Sequence, residues 1–350
     1  MAATEVARAS AELPPRGATR DLLTEPFTRA DFTRAAELVH SVLAPTPQIA
    51  WPLLAERCGC EVWVKHENHL PTGAFKVRGG LWYMHELCAS LPAPRGVVCA
   101  TRGNHGQSVA FAAARQGLEA VVVVPQGNNP DKNRAMRAYG AELVEYGVDF
   151  NAALEHAMRL AVERGLHAMP SFSPLLVQGV GTYALELFTA LPDLAAVYVP
   201  IGLGSGLAGV QAVRDALGLD TELIGVVASG ADAYARSFEA RQPVATAGID
   251  TIADGLAVRV PHADALRYLL AGVDRIVRVD DRAIATAIAA YYSDTHNLAE
   301  GAGAAPLAAL LGERERMRGR QVAVILTGGN IDAATFTSAL ADAARAGVSA

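Results

Sequence analysis

The sequence predicts an α/β protein built on open, doubly wound sheets, and three observations predict it. From about residue 60, short β-branched runs alternate with longer alanine-rich stretches. Several of the short runs are continuously apolar, Val121-Val122-Val123-Val124 above all, as parallel strands buried on both faces require. Three strands also lead into small, glycine-containing loops that open helices, which is where such sheets bind ligands.

In chain order, strands are expected at residues 61–65, 96–100, 120–124, 142–146, 195–201, 222–228 and 321–326, and helices at 103–116, 151–164, 207–217 and 284–292. At roughly 150 residues per domain, the 350 residues predict two domains. Residues 1–30 contain Glu5, Glu12, Pro14 and Pro15 without an apolar core, which reads as a mobile arm and not as a secretory signal. Hydrophobic residues make 51% of the chain, charged residues 19%, and the net charge is -6, so no basic face for nucleic acid is expected. No apolar run approaches the roughly 18 residues of a membrane span. Cys58, Cys60, Cys88 and Cys99 are too irregular for a disulfide framework, and Cys58-Gly59-Cys60 lacks a second pair at zinc-ligand spacing, so free thiols in a reducing cytoplasm are expected. The expected partner is a small molecule, the expected assembly a monomer or homodimer.

The three loops read Thr101-Arg102-Gly103-Asn104-His105-Gly106, Gly202-Leu203-Gly204-Ser205-Gly206 and Thr327-Gly328-Gly329-Asn330. Strand, glycine loop, helix points backbone N–H groups and a positive helix end at an anion. The second loop is the best phosphate cradle, because glycines let the backbone form a nest and Ser205 adds a hydroxyl. Gly204, Gly206 and Gly209 also fit the dinucleotide fingerprint, but the next strand ends Val227-Ala228-Ser229-Gly230 without the acid that would hold a ribose. Of the thirty basic residues only Lys65, Lys76 and Lys132 are lysines. Lys76, in Leu70-Pro71-Thr72-Gly73-Ala74-Phe75-Lys76, alone would read as a solvated side chain. Desolvation lowers a lysine's pKa from about 10.4 and lets the amine condense with a carbonyl. An amine of that kind, together with a phosphate cradle, fits pyridoxal phosphate.

The set Ala74-Phe75-Lys76-Val77-Arg78-Gly79, then Gly103-Asn104-His105-Gly106-Gln107, the glycine loop and Gly328-Gly329-Asn330 resembles the serine/threonine dehydratase family of fold type II pyridoxal-phosphate enzymes, over residues from about 35 to 340. The resemblance implies a tryptophan synthase β-like fold: a large domain of residues 31–95 plus 173–350, and a small one of 96–172 inserted in it, with the cofactor between them. Lys76 would hold pyridoxal 5'-phosphate as a Schiff base and act as general base, with Phe75 beside the ring. Asn104 would bond the 3-hydroxyl, Gly202, Leu203, Gly204, Ser205 and Gly206 the phosphate, and Thr327 the pyridine nitrogen, where a neutral hydroxyl weakens the electron sink and favours elimination. Thr101, Gly103, Asn104 and His105 would receive the substrate carboxylate, and Arg102 a substrate substituent or the phosphate, or else a surface ion pair.

The implied activity is that of a carbon–oxygen lyase, converting a β-hydroxy amino acid such as L-threonine or L-serine to a 2-oxo acid and ammonia. A bulkier or acidic substrate, phenylserine or 3-hydroxyaspartate, is the alternative, and a non-catalytic small-molecule binding protein is the alternative of another class. Arg102 stands where racemising members carry an acid–base serine, which disfavours racemisation because a guanidinium is not deprotonated. Val227, Ala231 and Ala233 stand where metal-activated members place oxygen ligands, so no metal site is expected. Glu300 reads equally as a cofactor neighbour or a helix cap, and Asp254-Gly255 as a structural turn. His66, Glu67, Asn68 and His69 read either as solvated or as lining the entrance. Only one helix's worth of chain follows Asn330, so no C-terminal regulatory domain and a catabolic role are expected.

Overall fold

The computed structural model describes residues 17, 19–89 and 93–345. Residues 1–16 and 18 of the expected arm lie outside the described residues. Between Asp21 and Thr28 the chain is anchored at two points: Leu22 and Phe27 are buried, and Phe27 meets Phe32 edge-on at 5.4 Å, while residues 23–26 are exposed. A capping box between Thr28 and Asp31 then starts α1 (Arg29–His40).

After α1 come β1 (Gln48–Ala50), α2 (Pro52–Cys58), β2 (Glu61–His66) and α3 (Lys76–Ala89). The middle of the chain forms β3 (Gly96–Ala100), α4 (Asn104–Gln116), β4 (Glu119–Val124), α5 (Pro130–Ala138), β5 (Glu142–Glu145), α6 (Phe150–Arg164), β6 (His167–Ala168) and α7 (Pro174–Ala190). Next are β7 (Ala196–Pro200), α8 (Ser205–Leu217), β8 (Glu222–Ala228), α9 (Ala233–Ala240), α10 (Ala263–Gly272) and β9 (Arg275–Val279). The described chain closes with α11 (Asp281–Thr295), α12 (Gly301–Gly312), α13 (Arg314–Met317), β10 (Gln321–Leu326) and α14 (Ala333–Arg345).

These elements fall into two compact units. One holds Lys76–Gly179 with the described residues ahead of Asp21, the other Asp21–Phe75 with Val180 onward. The unit containing Lys76 carries a parallel sheet in the order β5-β4-β3-β6. Val121 and Val123 pack with Ala153, Ala157 and Leu160 of α6, whereas Val122 lies toward Gly106 of α4. Covering both faces is what makes the four-valine run of β4 continuous, since every position is buried.

The other unit carries six strands in the order β1-β2-β10-β7-β8-β9, all parallel except β1, which pairs antiparallel with β2. The edge strands β1 and β9 have no clear sequence signal. Only three residues form β1, and β9 carries Arg275 and Arg278, which pair with Glu222 and Glu313 and with Asp232 and Glu239. Inside this unit Lys65 is fully buried in β2, its Nζ 2.5 Å from Glu186 Oε2 and donating to the Thr46 carbonyl at 2.9 Å. Glu186 also meets His40 Nε2 at 2.7 Å.

Candidate cofactor and substrate site

In the six-stranded unit, β7 runs into the 202–206 loop and α8. Gly204 is the N-cap of α8, with φ of 99° and no side chain capping it, a left-handed backbone that favours glycine. A Cβ on Gly202 would lie 2.5 Å from the Gly255 carbonyl oxygen, so the Asp254-Gly255 turn closes directly on the loop. Two tyrosines tie the loop's carbonyls back: Tyr183 Oη donates to Gly206 at 3.0 Å and Tyr234 Oη to Leu203 at 3.0 Å. Burial raises the Tyr234 pKa far above its ordinary value, so that phenol stays a donor. With those carbonyls engaged and no side-chain cap, the start of α8 is a cradle for an anion. Ser205 is buried there, and Phe75 lies 3.5 Å from where a Gly206 Cβ would be and 6.2 Å, edge-on, from Tyr183.

The same unit holds the loop after β10. Buried Thr327 accepts the Phe75 N–H through its carbonyl at 3.0 Å, Gly329 donates to Gly73 at 2.9 Å, and Asn330 Nδ2 donates to Thr72 at 2.8 Å. These bonds lace residues 72–75, the approach to Lys76, onto 327–330. Glu300 is the N-cap of α12 but its side chain does not cap the helix; Oε1 instead lies 2.6 Å from where a Gly328 Cβ would be. Of the four polar residues ahead of Lys76, His66 and Glu67 are buried in this unit, Asn68 is half-buried and His69 is exposed. His66 accepts from Trp51 Nε1 at 3.0 Å and is pushed down to about 4 by burial, Glu67 accepts from Thr46 at 2.6 Å, and His69 and Asn68 meet Asn297.

In the four-stranded unit, Lys76 is the first residue of α3, and its carbonyl accepts from Ser108 Oγ at 2.7 Å. Loss of hydration lowers its pKa to about 8, so its amine is neutral in a substantial fraction near physiological pH. Thr101 is buried and its Oγ1 accepts from the N–H groups of Gly103 at 3.0 Å and Gly106 at 3.3 Å, which fixes the loop. Gly103 is the N-cap of α4, without a side-chain cap, and Asn104 is the first residue of that helix. His105 has a buried Nε2 with no hydrogen-bond partner, and desolvation, aided by the Lys76 charge, lowers its pKa to about 3. Arg102 is exposed. Sequence reasoning found the glycines and the lysine but missed Tyr183 and Tyr234 and the closeness of Gly255, because a lone tyrosine on a helix carries no sign of which carbonyl it will meet.

Val227, Ala231 and Ala233 are all buried, and among the described residues no group of three His, Cys, Asp or Glu side chains is placed to hold a metal ion. A desolvated amine suits an aldehyde and an uncapped glycine cradle suits a phosphate, each the chemistry of α/β enzymes that use pyridoxal phosphate. The family described as pyridoxal-phosphate dependent enzyme matches residues 39–328, and the chain belongs to it. The chain is 37% identical over 305 residues to an L-threonine ammonia-lyase of Geobacter sulfurreducens, covering 87% of this chain and 73% of that one. The processed form of threonine deaminase isoform 2 from Solanum lycopersicum has a TM-score of 0.83 at 28% identity, covering 95% of this chain and 97% of that one. Maize serine racemase has a TM-score of 0.83 at 25% identity, covering 91% and 98%. The fold is therefore that of fold type II pyridoxal-phosphate enzymes, as the sequence motifs led one to expect.

The Lys76 environment predicts how the apoprotein takes up its cofactor. Only the neutral amine attacks the aldehyde, so capture of pyridoxal phosphate, followed by visible absorbance, is expected to accelerate about tenfold per pH unit up to the Lys76 pKa and to level off above it. The inflection should fall near the value of about 8. His105 is neutral throughout this range and adds no inflection. A capture rate that does not change with pH would contradict this assignment of Lys76.

Proposed function

We propose that this chain is a pyridoxal-phosphate-dependent dehydratase that converts L-threonine, and L-serine with it, to the 2-oxo acid and ammonia. The observation that carries the reading is the desolvated Lys76 amine directly after Phe75, in a chain whose other basic residues are almost all arginines. Its support is the similarity to threonine ammonia-lyases over most of their length.

Bound pyridoxal phosphate supplies the electron sink that acidifies the substrate's Cα–H. Lys76 would hold the cofactor through its Nζ and, as a free neutral amine, would accept the substrate's Cα proton as general base. The amides of Gly202, Leu203, Gly204, Ser205 and Gly206 hold the phosphate. Phe75 packs on the ring, Asn104 bonds the 3-hydroxyl, and Thr327 gives the pyridine nitrogen a neutral hydroxyl partner. Thr101, Gly103, Asn104 and His105 receive the substrate carboxylate at the start of α4, with Arg102 at the loop's outer edge. An arginine at this position offers no second acid–base group, so the proton taken from Cα is not returned to the opposite face and elimination of the β-hydroxyl as water prevails. The four thiols are free, in keeping with a cytoplasmic protein, and no helix among the described residues is long and apolar enough to cross a membrane. A monomer or homodimer is the assembly proposed.

Release of 2-oxobutanoate from L-threonine tests the reading, run beside serine, phenylserine and 3-hydroxyaspartate. Turnover of phenylserine or 3-hydroxyaspartate alone would replace threonine as the substrate, and no turnover of any by the yellow holoenzyme would leave a binding protein.

The phosphate cradle makes a separate prediction. Gly204→Ala places a Cβ 2.9 Å from that of Ala265 on a backbone of φ 99°. Cofactor affinity is expected to fall at least about tenfold, with about 1–3 kcal/mol lost in stability. At saturating cofactor the visible band returns, because Lys76 is unchanged. Equilibrium titration with pyridoxal phosphate measures this, and unchanged affinity would exclude the 202–206 loop as the phosphate site.

A further inference from the structure

The inference concerns Tyr234, and it rests on the reading of the 202–206 loop as the phosphate site. Tyr234 is the second residue of α9 and only 1% exposed. Its phenol oxygen receives the His262 N–H at 3.1 Å and donates to the Leu203 carbonyl at 3.0 Å. The first bond decides the second. With a lone pair committed to His262, the N-cap of α10, the hydroxyl's one hydrogen is left for Leu203.

A trans peptide carries its C=O and its N–H on opposite sides. Holding the Leu203 carbonyl on the tyrosine therefore turns the Gly204 N–H the other way, and among the described residues that N–H meets no acceptor. Nothing in residue 204 itself enforces this direction. Glycine takes positive and negative φ about equally, so the 203–204 peptide is free to turn over and present an oxygen where it now presents a hydrogen. Toward a phosphate, that exchange loses a donor and adds a like partial charge. Tyr183 stands differently, although its bond to the Gly206 carbonyl is also 3.0 Å. Gly206 is the second residue of α8, and the helix already directs its carbonyl along the axis.

We propose that Tyr234 is a positioning residue that sets selectivity for the phosphorylated cofactor: it holds the Leu203 carbonyl outward and so aims the Gly204 N–H at the phosphate.

Tyr234→Phe keeps the ring and removes the hydroxyl. Affinity of the full chain for pyridoxal phosphate, titrated through the visible band, is expected to fall about ten- to hundredfold, the range for a lost hydrogen bond to a charged group. Affinity for pyridoxal, which offers the same aldehyde to Lys76 without a phosphate, should change by less than about twofold. Phosphorus-31 NMR of the holoenzyme adds a readout that loss of stability does not move. N–H donors favour the ionised form, so the bound phosphate should titrate well below its ordinary value of about 6 in the wild type and closer to it in the variant. Tyr183→Phe also loses one buried phenol bond but should keep the wild-type preference for pyridoxal phosphate over pyridoxal. Tyr234→Met serves as a second variant if Tyr234→Phe melts early. Unchanged affinity in Tyr234→Phe beside the loss expected of Gly204→Ala would overturn the proposal and leave the phosphate site standing. An equal loss for pyridoxal, or the same loss of preference in Tyr183→Phe, would also overturn it. A wild-type chain without preference for pyridoxal phosphate over pyridoxal would overturn the phosphate-site reading, and the proposal with it. A Tyr234-dependent preference without turnover of threonine would overturn the dehydratase reading and uphold Tyr234.

Discussion

Lys76→Ala is expected to abolish turnover, with kcat/KM down by at least about a thousandfold, and to remove the visible absorbance of the holoenzyme at the same time. Both effects would have one cause, since in the proposed function the same amine binds the aldehyde and is the base for the Cα proton. Lys76→Arg should fail equally, because a guanidinium is neither a nucleophile nor a base at any working pH. The fold should survive, since Lys76 contributes its carbonyl, not its side chain, to the bond from Ser108. Removing a desolvated cation should leave the apoprotein no less stable. Lowering of the folded-state pKa to about 8 means that the unfolded chain binds the extra proton between that value and about 10.4, so stability of the apoprotein rises with pH across that window and the alanine variant loses this rise. A colourless variant that still releases 2-oxo acid at the wild-type rate would end the assignment.

Glu186→Leu carries the largest expected cost in stability. It removes the carboxylate that fully buried Lys65 meets at 2.5 Å, and stripping one partner from a buried ion pair costs about 3–5 kcal/mol. The ammonium keeps its bond to the Thr46 carbonyl at 2.9 Å, but a neutral acceptor does not replace a charge. Lys65→Met combined with Glu186→Leu should recover most of the loss, because an apolar pair of similar volume carries no desolvation penalty. Chemical unfolding followed by circular dichroism measures both. A single variant within about 1 kcal/mol of wild type would show that the pair contributes little beyond what a surface pair does.

The contrast between Lys65 and Lys76 shows how far residue type alone can be read. Scarcity of lysine marks three positions, and the structure places none of them on an open surface: Lys65 is fully buried, Lys76 and Lys132 half-buried. The sequence does not say that Lys65 is held by an acid 121 positions away, whereas Lys76 sits in a tract legible as a reactive turn. His66 and Glu67 look like an exposed polar loop because their neighbours are polar; they are interior because Trp51 and Thr46, brought in by the β1–β2 pairing, give them partners.

What the sequence by itself determined is the part of the protein written in local pattern. Continuous valine runs give the central parallel strands and glycines after strands give the three loops, and beside those loops Lys76, which alone reads as solvated, becomes the candidate for a reactive amine. Edge strands such as β9 escaped because their arginines answer to acids on other elements, and not to a hydrophobic period. Only the tertiary structure decided which groups face each loop: Tyr183 and Tyr234 on the carbonyls of the 202–206 loop, Gly255 against Gly202, and Asn330 on Thr72 across 258 positions. The physical reason is that a strand or turn follows from interactions between near neighbours in the chain, while the charge and hydrogen-bonding state of a site depend on desolvation and on partners that become neighbours only when distant segments pack.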